Sequence, residues 1–416
     1  MTIPRRWVIF FITCFLFVLS QFYRSSVAVI SPNLIDDLAL DTKSLSLISA
    51  AFFYAFAVMQ IPIGLYLDSL GPRITMTVLT LVAVAGALVF ALGQSATSLV
   101  IGRALLGIGM ACNLMGTLKL ITLWFGPLRF ATLAALVVSI GTAGNIAAAT
   151  PLVLMVQAIG WRATFMVFAG INLLLAVVFF AVVRDRPDRP GDWAVPKEVP
   201  VNLDETLKSV RALFAEKDYW IISFGTFCRY GIYAAVQALW AGPFLMHVLG
   251  ISPVMTGNLL FLMSVGLIVG SPVCGWLSDA RLQSRKVVIV AGLLGMIVIL
   301  FVFAFLPAGT GFPFLAALFF GFGFTSSAGQ IMYAHIKERM PIERAGTAMT
   351  GINFFTMGGV AVFLQGLGNL MQQLYPEASL GSAAFKCSFL FCAACLAVTV
   401  VLYGFTQETL GKRRRR

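Results

Sequence analysis

The chain has 416 residues, of which 59% are hydrophobic and 11% charged, and a formal net charge of +12. A soluble fold of this size could not cover so apolar a sequence with polar surface, so the composition excludes an ordinary globular domain and points to a membrane protein with many spans. The placement of the positive charge fits a topology signal and excludes a nucleic-acid partner as its main purpose.

Twelve apolar runs are long enough to cross a bilayer as helices. The sequence predicts spans 1 to 6 at Trp7–Pro32, Leu45–Leu67, Ile74–Gln94, Ser98–Phe125, Phe130–Val156 and Arg162–Val183. Spans 7 to 12 follow at Tyr219–Met246, Met255–Leu277, Val287–Leu306, Phe312–His335, Ala345–Leu367 and Ser382–Phe405. Span 1 is too long, and at Arg24 too polar, for a cleavable leader, so it is expected to be retained. The polar stretch Arg184–Asp218 separates six spans from six. Within it, Leu207, Val210, Leu213 and Phe214 have the spacing of an amphipathic helix on the membrane surface, although a plain tether fits as well.

Two loops recur at about half the chain length. Span 2 ends in Gly64-Leu-Tyr-Leu-Asp68-Ser-Leu-Gly71-Pro72-Arg73. A thinner copy, Gly275-Trp-Leu-Ser-Asp279-Ala-Arg281, ends span 8, 211 positions on (275 − 64). Pro127 and Pro341, after spans 4 and 10, are 214 apart (341 − 127). Two loops at nearly one offset indicate an internal repeat, a common plan in transporters. Gly64 lets two helices approach closely, and Asp68 at a membrane edge needs a partner such as Arg73 or a helix N-terminus.

The basic residues Arg5, Arg6, Arg73, Arg129, Arg184, Arg186, Arg189, Arg281, Arg285, Lys286, Lys337, Arg339, Arg344 and the tail Lys412–Arg416 fall on one side of this map. The other side carries only Lys43, Arg162 and Lys386. This asymmetry predicts a multi-pass protein with both termini in the cytoplasm. The tail also suits contact with anionic lipid. Cys392 and Cys395 form a Cys-x-x-Cys pair inside span 12. No metal or redox partner is visible in the sequence, and buried cysteines usually act as small apolar residues.

The loop after span 2, the run Arg103-x-x-x-Gly107-x-Gly109 in span 4, the six-plus-six layout and the long central stretch resemble the major facilitator superfamily over essentially the whole chain. The family's loop pattern is kept at Gly64, Asp68, Gly71 and Arg73, while Ser69 and Pro72 stand at two usually basic positions, and the second copy lacks the inner glycine. The resemblance implies an all-α integral membrane protein of twelve transmembrane helices in two six-helix pseudo-symmetric bundles, residues 1–183 and 219–416, joined by a cytoplasmic linker, 184–218. It also implies that spans 1, 4, 7 and 10 line a central cavity. Gly64, Asp68, Gly71, Arg73, Gly275, Asp279 and Arg103 would then belong to a cytoplasmic latch and helix-packing apparatus that gates transport. For the loops, a folding and topology role alone is the alternative.

A charge at the centre of a spanning helix costs about 2.5–3.5 kcal/mol, so each one needs a reason. Arg24, Arg103, Lys119 and Arg229 lie inside predicted spans; the carboxylates are expected at boundaries, in loops or in tails. Unneutralised cations in a low-dielectric cavity attract anions. The run from Arg24 to Pro32, eight residues on, resembles span 1 of organophosphate–phosphate exchangers and related organic-anion transporters, in which that arginine binds the substrate. A guanidinium forks onto carboxylate or phosphate and stays charged. Arg24 could instead be tied to main-chain carbonyls. Arg229-Tyr230-Gly231 resembles their span 7, but Trp240 and Pro243 follow a helical turn or more too late. If the proline sets the register, the matching position falls near Ala234 or Ala235 and Arg229 lies nearer the cytoplasm. Both alignments stay open.

Lys119 is a further candidate for substrate contact, or it snorkels to the membrane surface. Gln21, Tyr23, Asn113, Tyr230, Tyr233, Gln237, Gln330 and Tyr333 are the polar residues expected to support a ligand, with Ser326 and Ser327 beside them. Tyr233 and Gln237 share a helix face. His247 and His335 end spans 7 and 10; histidine is the side chain suited to a switch near neutral pH, though helix-end positions favour a structural role.

The resemblance sets other branches aside. Sugar–proton and drug–proton members need an intramembrane carboxylate. Nitrate members carry arginines in spans 2 and 8, which have none here. There is no phosphate-cradling nucleotide motif, so transport must draw on a gradient rather than on ATP. The expectation is a secondary transporter, not an enzyme, with no cofactor and no metal. It would move a small organic or phosphorylated anion by alternating access, as exchange or proton symport, two bundles rocking about a central site. The expected setting is a bacterial inner membrane, with a monomer in contact with the lipid bilayer, no nucleic acid, and protons as an optional co-substrate. A non-transporting membrane sensor of the same fold, or a carrier of zwitterions, is the alternative.

Overall fold

The computed structural model describes residues 5–125, 127–185, 213–339 and 345–409, and among them every regular element is helical. Two compact units divide the chain, one of Met1–Leu40 and Leu47–Pro200, the other of Asp41–Ser46 and Val201–Arg416. In a bilayer all backbone N–H and C=O groups must bond internally, which leaves helices as the only way for these apolar runs to cross. The outward side chains fit hydrocarbon as solvent: Leu174 and Val401 are each 63% exposed. Among the described residues, ten helices are long and apolar enough to span a membrane.

The first unit contains α1 (Arg5–Ser25), α2 (Val27–Leu38), α3 (Thr42–Ser69) from Leu47 on, α4 (Gly71–Leu92), α5 (Ala96–Met110), α6 (Asn113–Phe125), α7 (Pro127–Ala147) and α8 (Thr150–Val182). The second contains α9 (Lys217–Ala235), α10 (Pro253–Trp276), α11 (Arg285–Ala304), α12 (Phe312–Ser327), α13 (Ile331–Arg339), α14 (Ala345–Leu374) and α15 (Ser382–Gly404). The two expected spans beyond the ten are α7 and α9; π-helical turns and a short helix continue α9 to Val248.

The same packing plan appears inside each unit. Span 1 packs on span 5 (α1 on α7) as span 7 packs on span 11 (α9 on α14). Span 3 packs on span 6 (α4 on α8) as span 9 packs on span 12 (α11 on α15). Small residues permit these approaches. A Cβ on Gly144 would collide with the Val18 carbonyl, and one on Gly359 with the Phe227 carbonyl.

Interruptions divide spans 1, 4, 7 and 10. Span 1 breaks at Ser26, span 4 at Ala111–Cys112, and span 10 at a 3-10 turn, Ala328–Gln330. Span 7 passes through π-helical turns at Val236–Trp240 and Phe244–Val248. Each break releases main-chain carbonyls that must find other donors. Pro32 does the same within α2, since it cannot donate to the carbonyl of Ala28; the Ser31 hydroxyl fills that role at 2.9 Å. Spans 5 and 6 differ from expectation. The chain breaks at Ala148–Ala149, just before Pro151, and α8 runs on with a second break at Gly160 rather than starting at Arg162.

At the basic end of the first unit, Gly71 adopts φ +80°, which L side chains rarely adopt, and a Cβ there would press on the Asp185 carboxylate. Asp185 accepts from the Arg73 N–H at 2.7 Å, at the positive N-terminus of α4. The Arg73 guanidinium donates to the Phe180 carbonyl at 3.0 Å and lies 4.3 Å over the Phe180 ring. These contacts tie the loop to the end of span 6. The surroundings of Gly64 and the side chain of Asp68 fall outside what is described. In the second unit Glu408 plays the part of Asp185, accepting from the N–H groups of Arg285 (3.0 Å) and Lys286 (3.1 Å) and from the Ser284 hydroxyl. Arg285 bridges Asp279 and Glu338, the latter at 2.9 Å. Gly275 has nothing within 4 Å of where a Cβ would stand, so no close helix approach explains it.

At the opposite end of the first unit Asp37 accepts from Trp161 Nε1 (2.7 Å) and Arg162 Nη1 (2.5 Å), and Arg162 also reaches the Gly93 carbonyl at 3.3 Å. Asp36 and Asp37 were expected in a loop, but both belong to α2, because the helix runs past Pro32 to Leu38. Asp218, in the first turn of α9, is buried and paired with Arg339 at 2.6 Å. Of the amphipathic stretch 203–214 only Leu213, buried, and Phe214, exposed, are described.

Candidate functional site

In the first unit the site grows around the break in span 1. The Tyr23 carbonyl, freed there, accepts from Arg103 Nη1 at 2.6 Å and from the Ser26 hydroxyl at 3.2 Å. The Tyr23 ring is fully buried and its hydroxyl accepts from Asn172 Nδ2 at 2.9 Å. Tyr23 thus points into the unit's interior and holds span 1 to span 6. Arg24, the next residue, is half-buried at the end of α1, its guanidinium 4.3 Å over the Phe56 ring of α3. One helical turn away the Arg103 guanidinium lies 4.8 Å from the Phe52 ring. Phe52 and Phe56 are themselves stacked, with centroids 6.0 Å apart. Two cations therefore stand on one aromatic pair.

The break in span 4 is closed in the same way. Gln60 Nε2 donates to the Ala111 carbonyl at 3.1 Å, and the Ser20 hydroxyl to the Met110 carbonyl at 3.3 Å. Asn113 is buried, and its Nδ2 donates to the Leu16 carbonyl at 3.1 Å, binding span 4 to span 1. Lys119 donates to the Leu67 carbonyl at 2.7 Å, in the last turn of α3. Gln21 is half-buried on α1, its Cβ beside Gly144. Ser25 donates to Asn145 Oδ1 at 2.9 Å.

In the second unit Arg229 is 2% exposed, and its Nη1 donates to the Ser326 carbonyl at 3.2 Å, just before the break in span 10. A Cβ on Gly329 would collide with Arg229 Nε, so only glycine leaves room for this guanidinium. Tyr333, Tyr230 and Tyr233 surround it, with the Tyr230 ring 5.4 Å away. Arg229 Nε and the Ser326 hydroxyl are buried without hydrogen-bond partners among the described residues. Tyr333 hydrogen-bonds Thr356 at 3.0 Å, and Gln330 is exposed. Gln237 sits in the π turn and donates to Ser264 at 2.9 Å. A π turn holds more residues per turn than an α-helix, so Trp240 lies closer to Arg229 along the axis than α-helical spacing would put it. This is a local reason for the lateness of Trp240 and Pro243.

His335 is buried, with Nδ1 on the Tyr403 hydroxyl (2.8 Å) and Nε2 on the Gln407 carbonyl (2.9 Å), while His247 is exposed. Among the described residues no group of three metal-ligating side chains is assembled. Cys392 is buried, Cys395 is partly exposed, and both are free thiols.

The two units use their cations in mirrored ways. A span 4 arginine caps broken span 1 in the first, and a span 7 arginine caps broken span 10 in the second. Phe52, Phe56, Gln60, Asn172 and Gly329 were not singled out from sequence. Gln60 and Asn172 are lone polar residues in apolar runs and could have been. The two phenylalanines are indistinguishable among 36.

The model for the Major Facilitator Superfamily matches residues 13–364 and 222–415. A protein described as a probable sulfoacetate transporter of Cupriavidus necator is 24% identical over 291 residues, 68% of this chain and 67% of its own length. A hexuronate transporter of Escherichia coli is 24% identical over 309 residues, 70% of this chain and 71% of its own. Among solved structures, a bacterial homologue of the human lysosomal transporter Spinster superposes with a TM-score of 0.76 at 15% identity, covering 97% of both chains.

Proposed function

We propose a function from one premise: the chain belongs to the Major Facilitator Superfamily, and it is a multi-pass membrane transporter. Its cargo is a small organic anion bearing a carboxylate, sulfonate or phosphate. The observation that carries this reading is the pair of buried guanidinium groups, Arg103 and Arg229, one in each unit, whose hydrogen bonds go to main-chain carbonyls, so their charge is held in place without being neutralised there. Arg24, mounted beside Arg103, is the main ligand of the anion. Arg229 with Tyr230, Tyr233 and Tyr333 contributes a second cation. Lys119, Gln21, Asn113, Gln237 and Gln330 support the binding surface. Tyr23 acts through its backbone and its bond to Asn172. The relatives named for hexuronate and sulfoacetate support an anionic cargo.

Transport proceeds by alternating access, as exchange or as proton symport. With no ATP-binding motif in the sequence, the driving force is a gradient. The protein acts as a monomer in a bacterial inner membrane, and the distribution of basic residues supports cytoplasmic termini. The polar stretch 184–218 joins the two helical domains, and the loops with Gly71–Arg73 and Asp279–Arg285 gate transport from the basic side.

The test is uptake into proteoliposomes preloaded with each of galacturonate, galactonate, sulfoacetate, glucose 6-phosphate and inorganic phosphate, paired with thermal-shift binding in detergent. At least one anion should show counterflow and raise the melting temperature. Folded protein that shows neither counterflow nor a raised melting temperature with any of these anions would reject the anion reading.

A further inference from the structure

We infer that Phe56 is a positioning residue for anion binding: its ring face fixes the Arg24 guanidinium in the orientation that receives the substrate, an inference that rests on Arg24 being the anion ligand as proposed above. A guanidinium interacts in two perpendicular ways. Its flat face is attracted to the negative face of an aromatic ring, while its N–H groups point outward in the plane and form hydrogen bonds to an anion. A ring can therefore hold the group without occupying its donors, which a carboxylate partner could not do.

Arg24 Cζ lies 4.3 Å from the Phe56 centroid, within cation–π range. Phe56 is only 4% exposed, so the ring is itself immobilised by packing. It is stacked on Phe52, which holds Arg103 at 4.8 Å. Arg103 in turn grips the Tyr23 carbonyl, in the peptide unit that leads into Arg24. Arg24 is thus located twice from the same helix, once through its side chain by Phe56 and once through its backbone by Phe52 and Arg103. A long side chain at a helix break would otherwise sample several rotamers, and binding would have to order it.

The experiment replaces Phe56 with leucine, tyrosine and tryptophan, and separately with mono-, di- and trifluorophenylalanine, which keep the ring's size while weakening its negative face. Each protein is read for KM, maximal rate and ligand-free melting temperature with the five anions named above. Phe56→Leu should raise KM about two- to thirtyfold, the span of a cation–π contact. Phe56→Tyr and Phe56→Trp should stay within a fewfold of wild type. The fluorinated series should raise KM stepwise at near-constant melting temperature, and that gradient is one a packing role would not produce. If Phe56→Leu fails to fold, the fluorinated series decides alone. A flat KM across that series, with Arg24→Ala still abolishing uptake, overturns this inference and leaves the anion reading standing. Normal uptake by Arg24→Ala overturns both.

Discussion

Arg103 Nη1 donates to the main-chain carbonyl of Tyr23 at 2.6 Å, a bond between spans 4 and 1 that fixes the peptide leading into Arg24. Its removal should therefore be felt at Arg24. Arg103→Met removes a hydrogen bond to a charged group, worth about 1.5–3 kcal/mol, and also relieves the cost of burying a guanidinium. These opposed effects leave the melting temperature near wild type, while KM for the anion should rise at least about tenfold. A coordinated check of melting temperature and uptake separates the two. Collapse of the fold, or unchanged KM, would contradict the positioning role.

Asn172 supplies the donor to the Tyr23 hydroxyl at 2.9 Å in a fully buried setting. Asn172→Leu leaves that hydroxyl without its donor at a cost of about 1–3 kcal/mol. Thermal unfolding in detergent should show a lower melting temperature, and KM should rise because span 1 is released from span 6. Tyr23→Phe in the Asn172→Leu background should restore part of the loss, since removing both polar partners is milder than stranding one.

Gly329 leaves the space that Arg229 Nε fills. Gly329→Ala should push the guanidinium off the Ser326 carbonyl, because a Cβ there would collide with Nε of this buried side chain. The expected result is a rise of about tenfold or more in KM with correct membrane insertion, measured by uptake and by size-exclusion profile. Wild-type KM would mean that Arg229 does not need its present position.

Glu408 is the anchor of the second unit's basic end, and it titrates outside the spans. Burial raises its pKa, but the Ser284 hydroxyl and the main-chain N–H groups of Arg285, Lys286 and Thr409 outweigh it and hold the carboxyl down to about 2. An unfolded glutamate titrates near ~4.3. The folded value is depressed, so the contribution is complete above the unfolded value and is lost as pH falls toward about 2. Wild type should melt above Glu408→Gln at neutral pH, with the gap closing between about pH 4.5 and 2. A gap of constant size down to pH 3 would show that the charge of Glu408 contributes nothing.

The spans, the doubled loops and the intramembrane cations were legible because each is written in single residues: apolar length, Gly-x-x-x-Asp, an arginine in a hydrocarbon run. The breaks in spans 1, 4, 7 and 10 were not. Ser26, Ala111 and Ala328 carry no helix-breaking chemistry of their own, and tertiary donors such as Arg103, Gln60 and Arg229 satisfy the carbonyls that the breaks release. Tyr23 read as a ligand-facing residue because it is a polar residue of a span expected to line the cavity, yet adjacent helix positions point about 100° apart, and its ring is fully buried on Asn172. The aromatic pair under Arg24 and Arg103 depends on spans 2 and 4 crossing closely. Gly107 permits that crossing against the Phe52 carbonyl, a contact visible only in three dimensions.

The central claim is that Arg24 binds the transported anion, and uptake by purified Arg24 variants in proteoliposomes tests it most directly. Arg24→Ala should abolish anion counterflow, and Arg24→Lys should leave it strongly impaired, because an ammonium keeps the charge but loses the planar fork that stands 4.3 Å from the Phe56 ring. Both proteins should insert and purify as wild type does. Anion counterflow at the wild-type rate by Arg24→Ala would contradict the account.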